Sequence, residues 1–148
     1  VGEPRKHLYE ILDWVVPILP EDKPRYLMGL GRPDELVSAV NDGIDMFDCV
    51  IPTREGRHGR LFVFKNNFDI ERCLEKSEGL FYKTINIGNE KFKEEFLPID
   101  TDCQCETCKN YTLAYLHHLF KTKEPLFLKL ASVHNLFFYH SLMKMLRK

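Results

Sequence analysis

The sequence has little excess charge of either sign and no long apolar run. Its 21 lysines and arginines nearly balance its 22 aspartates and glutamates, so the formal net charge is -1 at pH 7. Such a chain has no overall field that attracts nucleic acid, and nucleic-acid binding would need a local basic patch. No segment approaches the roughly 20 apolar residues that a membrane-spanning helix needs. Internal repeats and low-complexity tracts are also absent.

The amino terminus lacks the pattern of a secretion signal, because no apolar stretch follows a basic segment there. We therefore expect a cytoplasmic location and no membrane partner. The 148 residues are 44% hydrophobic and 29% charged, which is typical of one soluble globular domain with a sizeable core.

Cysteine is scarce, and its count of five is odd. Cys49 and Cys73 lie in apolar surroundings, where we expect inert core thiols. Cys103, Cys105 and Cys108 are crowded together in a CxCxxC pattern. Thiols at this spacing suit a metal ion better than mutual disulfides.

His134 is the fourth ligand that we predict for this cluster. Three thiolates and one imidazole make a closed tetrahedral zinc site, and a closed site is structural because no position remains for water. A catalytic zinc and a cluster of reduced surface cysteines are the alternatives. His117 and His118 fall within a predicted helix and are more typical of surface or interface positions. We expect His134 to open a new helix beside the cysteines.

The first third of the chain alternates helices and strands. Apolar spacing and turn residues predict a helix, a strand, a helix and a strand over 7–19, 25–30, 32–43 and 44–51. Short connections and continuously apolar strands indicate buried parallel strands covered by helices. Ligand chemistry gathers at the carboxyl ends of such strands, where Gly29, Gly31 and Asp48 fall.

The remainder of the chain has a different pattern. Two short strands over 60–64 and 83–87 are predicted to pair antiparallel, and the stretch "DIERCLEKSEG" between them could hold a short helix. Helical patterns return over 111–120 and 135–147.

Residues 43–60 read "GIDMFDCVIPTREGRHGR" and join a strand carboxylate to a basic segment. Asp48 is flanked by Phe47 and Cys49, and a carboxylate in such a place is costly to bury without compensation. Asp48 is thus either a reactive group or a structural aspartate that accepts backbone hydrogen bonds. Asp45 is a weaker candidate for the same chemistry.

The segment "TREGRHGR", with Arg54, Arg57 and Arg60, is predicted to be a loop that contacts phosphate groups and base edges. Guanidinium groups bind phosphate with two parallel hydrogen bonds, and glycines let backbone approach. A solvated charged loop with no ligand is the alternative.

Five motifs in this order carry a resemblance to a known family: "KPRYLMGLG", "GIDMFDCVIPTR", "CQCETC", "NYTLAYLHHLF" and "HNLFFY". Together they closely resemble the carboxyl-terminal part of bacterial-type tRNA-guanine transglycosylases, which exchange guanine for a deazaguanine in the anticodon. The resemblance covers nearly the whole chain except a longer insert around 66–82.

The resemblance implies an α/β fold, the carboxyl-terminal part of a (β/α)8 TIM-type barrel with an inserted zinc-binding subdomain. The two strands of the first third resemble the seventh and eighth barrel strands. Residues 1–60 would hold the last barrel units with the nucleophile and the anticodon-binding loop. Residues 61–122 would form the zinc-binding insert, and 123–148 the last zinc ligand and a closing helix.

The resemblance also assigns roles to single residues. Asp48 matches the nucleophile that attacks the ribose anomeric carbon and forms a covalent enzyme–RNA intermediate. The base substrate is assigned to Glu3, Tyr26, Met28 and Gly29, and the anticodon loop to Thr53, Arg54, Arg57 and Arg60. One structural Zn²⁺ is assigned to Cys103, Cys105, Cys108 and His134. A homodimer contact is assigned to Tyr111, Tyr115 and His118. Tyr111 replaces a tryptophan of some members.

The base substrate that the resemblance implies is 7-aminomethyl-7-deazaguanine, because "TREGRHG" is nearest the bacterial pattern. Nothing in the chain matches the family's general base, so we expect the polypeptide alone to be inactive. Two other interpretations stay open: a non-catalytic tRNA-binding or dimerisation module of the same family, and an unrelated zinc-ribbon protein binder.

Overall fold

Residues 5–66 and 81–147 are described by a computed structural model of the chain. They divide into two units, the first containing 5–50 and the second containing 51–66 and 81–147. Several predictions made from the sequence lie outside the described residues: the role of Glu3, the environment of Cys73, the helix in "DIERCLEKSEG" and most of the insert around 66–82.

The first unit pairs two short parallel strands with two helices. Its elements are α1 Arg5–Val15, a 3-10 turn Val16–Ile18, β1 Tyr26–Met28, α2 Pro33–Asn41 and β2 Met46–Asp48. The register of the parallel pair places Met28 opposite Asp48. A core of Leu12, Val16, Leu30, Ala39 and Ile44 lies between the elements. The predicted parallel α/β arrangement is therefore confirmed for this unit.

The strands differ from the sequence prediction in length and in burial. We predicted buried strands over 25–30 and 44–51, but each strand has three residues, and only the middle one faces the core. Leu27 and Phe47 contact the core cluster, whereas Tyr26, Met28 and Asp48 are exposed. Side chains alternate between the two faces of a strand, so one face of this pair is open within the unit.

The second unit combines an antiparallel strand pair with helices. Its elements are α3 Ile51–Arg57, β3 Arg60–Phe64, β4 Tyr82–Asn86, a 3-10 turn Glu90–Phe92, α4 Glu106–Asn110, α5 Leu113–Lys121 and α6 Pro125–Leu146. The predicted antiparallel pairing is confirmed, with Phe62 opposite Thr84. Aromatic rings fill one side of the sheet, including Phe62 stacked on Phe138 at 5.6 Å between centroids.

The predicted "TREGRHGR" loop is wrong. Residues 51–57 form helix α3, a turn follows, and Arg60 already belongs to β3. Gly56 allows this helix to approach α6, because a Cβ atom at Gly56 would lie 3.2 Å from the backbone of Ala131. The helix therefore depends on a distant partner that the local sequence does not reveal.

Two histidine predictions also need correction. His134 does not open a helix, because it lies in the interior of α6, which begins at Pro125 rather than at residue 135. His117 is buried rather than on the surface, and its Nδ1–H donates to the carbonyl oxygen of Ile87 at 2.7 Å. His118 is exposed, as predicted.

Two parallel strands do not close a barrel, so within 5–66 and 81–147 the structure gives mixed α/β content without an eight-stranded barrel. Among the described helices none combines the length and the apolar character that crossing a membrane requires.

Candidate metal centre and strand-end carboxylate

The four predicted metal ligands meet at one point of the second unit. The Nδ1 atom of His134 lies 3.8, 3.6 and 3.4 Å from the sulfur atoms of Cys103, Cys105 and Cys108. All four ligand atoms lie within 4.8 Å of one another. Tetrahedral zinc, with Zn–S bonds of about 2.3 Å and Zn–N bonds of about 2.05 Å, separates sulfur from nitrogen by about 3.5 Å. The cluster therefore could hold a metal ion of this size.

Local structure brings these ligands together. Cys105 is the N-cap of α4, and its sulfur accepts the backbone N–H of Cys108 at 3.3 Å. His134 comes from α6, and its Nε2–H donates to the carbonyl oxygen of Phe62 at 2.8 Å. Because the carbonyl can only accept, Nε2 keeps its proton in the neutral form of the imidazole, and in that form Nδ1 has a lone pair for a metal ion. An outer hydrogen bond of this kind orients a histidine that binds a metal.

The thiols and the imidazole of the cluster share protons that a bound cation would replace. Hydrogen bonds from Cys103 and then Cys108 lower the pKa of the Cys105 thiol. The pKa of Cys108 is raised, because its hydrogen bonds with Cys103 and Cys105 leave it as the partner that keeps a proton. Burial lowers the pKa of His134, but hydrogen bonds with Cys103 and Cys105 outweigh burial and raise it to about 9. A divalent cation would displace such shared protons, since thiolates and neutral imidazole are the binding forms.

Asp48 lies at the carboxyl end of β2 in the first unit, with its side chain exposed. Its Oδ2 atom accepts a hydrogen bond from the Tyr26 hydroxyl at 3.2 Å. Its carbonyl oxygen accepts the N–H of Gly29 at 2.8 Å, and Gly29 has a φ of 79°, which glycine adopts without strain. Backbone and side chain of Asp48 are thus both held by β1 and the residue that follows it.

The Tyr26 hydroxyl remains a donor over a wide pH range. Desolvation, then the charge of Asp48 and the hydrogen bond to it, raise the pKa of Tyr26 above its ordinary value. Asp45 differs from Asp48, because its Oδ2 accepts the backbone N–H of Arg25 at 2.8 Å. Of the two aspartates considered from the sequence, Asp45 is therefore the one that stabilises backbone.

The three arginines predicted to contact RNA are exposed on and just after α3. Glu55 forms ion pairs with Arg60 at 2.9 Å and with Arg54 at 4.0 Å, so it offsets part of their charge. Within the described part of the chain, Arg57 has no acidic partner within ion-pair distance. Thr53 is half-buried on the same helix. Helix α3 and the start of β3 therefore present a basic surface that includes the carboxylate of Glu55.

An aromatic pair lies at the start of α5. The rings of Tyr111 and Tyr115 stack with centroids 5.5 Å apart, and Tyr115 is 40% exposed. Leu97 bonds to the same helix start, since its carbonyl accepts the N–H of Leu113 at 2.8 Å. Phe96 and Leu97 are 74% and 56% exposed. They extend this apolar surface and were not anticipated from the sequence.

Sequence similarity to known proteins shows the family to which the chain belongs. The family model described as queuine tRNA-ribosyltransferase matches residues 1–148, the whole of the chain. The chain belongs to the queuine tRNA-ribosyltransferase family. It is 47% identical to the queuine tRNA-ribosyltransferase of Haemophilus ducreyi and 49% identical to that of Francisella tularensis subsp. novicida. Each match covers 100% of this chain, and the chain spans 34% and 36% of the length of those relatives.

Sequence reasoning did not anticipate the contact of Tyr26 with Asp48 or the role of Asn135. Tyr26 was assigned to the base substrate, yet its hydroxyl bonds to Asp48. Tyr26 and Asp48 fall on the same face of the parallel pair, and the register of the two strands brings them into contact. Asn135 was overlooked although it follows His134, and it is fully buried with three hydrogen bonds. Its separation from its partners by more than 70 residues left no local signal.

Proposed function

We propose that this chain carries the nucleophile and the metal-binding part of a tRNA-guanine transglycosylase. The whole protein would exchange guanine at the first anticodon position for 7-aminomethyl-7-deazaguanine. The observation that carries the proposal is Asp48, an exposed carboxylate at a strand end whose Oδ2 accepts from Tyr26, within a chain that matches the family throughout.

The chemistry follows from an unhindered carboxylate beside a ribose. An oxygen of Asp48 attacks the anomeric carbon, and the new O–C bond forms as the bond from that carbon to guanine breaks. Guanine leaves with the bonding electron pair and takes up a proton. The deazaguanine then loses its ring N–H proton and attacks the same carbon, which releases the Asp48 carboxylate. Two displacements at one carbon retain its configuration, as in retaining glycosidases.

The resemblance assigns substrate contacts to several residues of the chain. Tyr26, Met28 and Gly29 would border the base pocket with Glu3, since Tyr26 and Met28 share the open strand face with Asp48. Arg54, Arg57, Arg60 and Thr53 would bind the anticodon loop, because guanidinium groups fit phosphate oxygens and a base must leave its stack to react. The general base would lie elsewhere in the whole protein.

The metal would be one structural Zn²⁺ on Cys103, Cys105, Cys108 and His134. Four protein ligands at the separations described leave no place for a reacting water, and the cation would supply stability rather than chemistry. We further propose that β1 and β2 are the last two strands of a (β/α)8 barrel. The zinc-binding insert would span 61–122 and the closing segment 123–148.

The partners proposed for the whole protein are the tRNA anticodon loop and a second copy of itself. Exposed Tyr115, stacked on half-buried Tyr111, and the exposed His118 offer an aromatic surface for that second copy. We propose a cytoplasmic location, because tRNA is the substrate.

Trapping of the covalent intermediate tests the nucleophile. The whole protein that contains this sequence is incubated with an anticodon stem-loop RNA, and adducts are separated on a denaturing gel. We expect an adduct from the unaltered protein and none from Asp48→Asn, because an amide is a poor nucleophile.

Asp45→Asn is the matched control, since its remaining side-chain oxygen can still accept the N–H of Arg25. It should form the adduct. An adduct that persists in Asp48→Asn would refute the assignment of the nucleophile. RNA binding without any adduct in the unaltered protein would favour the non-catalytic tRNA-binding module, and zinc binding without RNA binding would count against the proposed RNA substrate.

A further inference from the structure

Asn135 occupies a central position in the second unit. Its side chain is fully buried, and its exposed fraction is 0%. The Oδ1 atom accepts the N–H of Phe62 at 3.1 Å, and Nδ2 donates to the carbonyl oxygens of Pro52 at 2.8 Å and Arg60 at 3.0 Å. Both donors of the amide and its acceptor are therefore engaged. Three distant points of the backbone converge on one side chain of α6.

The preceding residue makes the complementary contact. His134 donates from Nε2 to the carbonyl oxygen of Phe62, the residue whose N–H bonds to Asn135. Consecutive residues of α6 thus hold both backbone polar groups of one residue in β3. His134 also directs Nδ1 at the three cysteine sulfurs. The orientation of α6 about its axis is set jointly by the metal ligands and by this pair of contacts.

Helix α3 lies directly against the same turn of α6. A Cβ atom at Gly56 would be 3.2 Å from the carbonyl carbon and oxygen of Ala131 and 3.2 Å from Nδ2 of Asn135. Gly56 itself is buried. Little space is therefore left between the two helices, so a displacement of Asn135 displaces α3. That helix carries Arg54 and Arg57 on its exposed side.

We infer that Asn135 is a positioning residue that couples the metal cluster to the arginine-bearing helix α3. A metal ion held by Nδ1 of His134 would fix the turn of α6 that carries Asn135, and the Asn135 amide holds Pro52 in α3 and Arg60 at the start of β3. The consequence for RNA rests on the proposed function, because only that function gives α3 an anticodon loop to bind.

Asn135→Asp tests the coupling in the whole protein. The substitution keeps the oxygen that accepts from Phe62, but it removes both donors and places a carboxylate oxygen against two carbonyl oxygens. We expect zinc content to remain at one per chain, hydrogen exchange of the α3 amides to accelerate, and affinity for an anticodon stem-loop RNA to fall about tenfold, within the usual range of coupling between sites.

Thr107→Val is the matched control. Thr107 is fully buried, and its hydroxyl donates to the carbonyl oxygen of Leu130 at 2.8 Å, so the change removes a buried hydrogen bond to the same helix. We expect a loss of stability with unchanged exchange in α3 and unchanged RNA affinity. If Asn135→Asp does not fold, Gly56→Ala separates α3 from α6 without altering a metal ligand and should give the same loss of RNA affinity.

Chelation of the metal completes the test. Removing zinc from the unaltered protein should accelerate hydrogen exchange of the α3 amides. The same treatment of Asn135→Asp should accelerate that exchange little further, because the hydrogen bonds to Pro52 and Arg60 are already lost. Equal responses of the two proteins would overturn the inference. Failure of the unaltered protein to bind RNA would count against the proposed function alone, since exchange in α3 reports the coupling without RNA.

Discussion

At the scale of single residues, two aspartates three positions apart have different roles because their surroundings differ. The carboxylate of Asp45 accepts a backbone N–H and stabilises the start of β1. The carboxylate of Asp48 is exposed on the open strand face and accepts from one hydroxyl. One oxygen of each carboxylate is engaged, but the Asp45 oxygen holds the backbone of the neighbouring strand, whereas Asp48 lies on the open face beside the Tyr26 hydroxyl.

Tyr26→Phe should slow formation of the covalent RNA adduct about tenfold, because misplacement of a reacting group lowers the rate without abolishing the chemistry. The ring remains, so base binding that depends on its apolar surface should change little. Single-turnover adduct formation at saturating RNA measures the effect. A rate for Tyr26→Phe equal to that of the unaltered protein would show that the hydroxyl does not position Asp48.

The pattern of residue types predicted much of the candidate site. Three thiols in a CxCxxC pattern need a cation, so Cys103, Cys105 and Cys108 were predictable from spacing, and they lie together with His134. The contact between Tyr26 and Asp48 depends on the register of two strands that are 20 residues apart in sequence. Spacing along the chain does not determine that register.

At the scale of elements, helix α3 shows where local sequence is insufficient. Gly56 and Gly59 suggested a loop, since glycine weakens helices. The helix forms because Gly56 allows close contact with Ala131 and because Asn135 donates to Pro52. These contacts come from α6, which is far along the chain, and propensity carries no information about them.

Helix α6 was predicted too short for a related reason. Its 22 residues bury several sides at once, against β3, the metal ligands and α3, so its apolar residues do not form one stripe. The signal that marks its start is Pro125 in the first helical turn, which was not used. Strand β3 is buried on both of its faces, since Leu61 and Val63 lie in one apolar cluster and Phe62 stacks on Phe138 on the other side.

Cys108→Ser should lower zinc content well below one per chain and lower the temperature of unfolding of the second unit, because folding energy of such sites comes from the metal. The same loss should occur in the unaltered protein as pH falls, since protons compete with the metal for thiolates and imidazole. Metal analysis after dialysis and thermal unfolding measure both.

Cys49→Ser is the control for this experiment. Cys49 is half-buried in the first unit and is not among the clustered ligands. It should keep one zinc and an unchanged unfolding temperature of the second unit. Full zinc occupancy in Cys108→Ser would contradict the four-ligand site.

At the scale of the whole molecule, the chain contains two units with different chemistry. The first presents a carboxylate on an open strand face, and the second presents a metal cluster, a basic helix and an aromatic surface. The family was recognisable because five motifs keep their order along the chain. The barrel remains a prediction for the whole protein, since two strands cannot report how many others complete the sheet.

Tyr115→Ala should convert a dimer of the whole protein to monomer or weaken it at least about tenfold, because exposed aromatic residues dominate interface energies. The stack with Tyr111 holds the ring in place before association, which lowers the entropic cost. Sedimentation velocity over a range of protein concentrations measures the shift. Leu136→Ala, at a residue 50% exposed on α6, controls for a general loss of apolar surface, and an unchanged dimer in Tyr115→Ala would place the interface elsewhere.

The two hydrogen bonds from α6 to the backbone of Phe62 also affect how β3 can pair with other strands. In the antiparallel pair the bonds of Gly59 with Ile87 and of Lys65 with Phe81 show that odd-numbered residues bond across the ladder, so Phe62 points its polar groups away from β4. A strand border left open to solvent commonly recruits strands from other molecules and starts aggregation. His134 and Asn135 already bond to the carbonyl oxygen and the N–H of Phe62. A strand from another molecule therefore cannot form hydrogen bonds with Phe62 at the middle of β3. The same two side chains therefore protect the folded protein against intermolecular sheet growth.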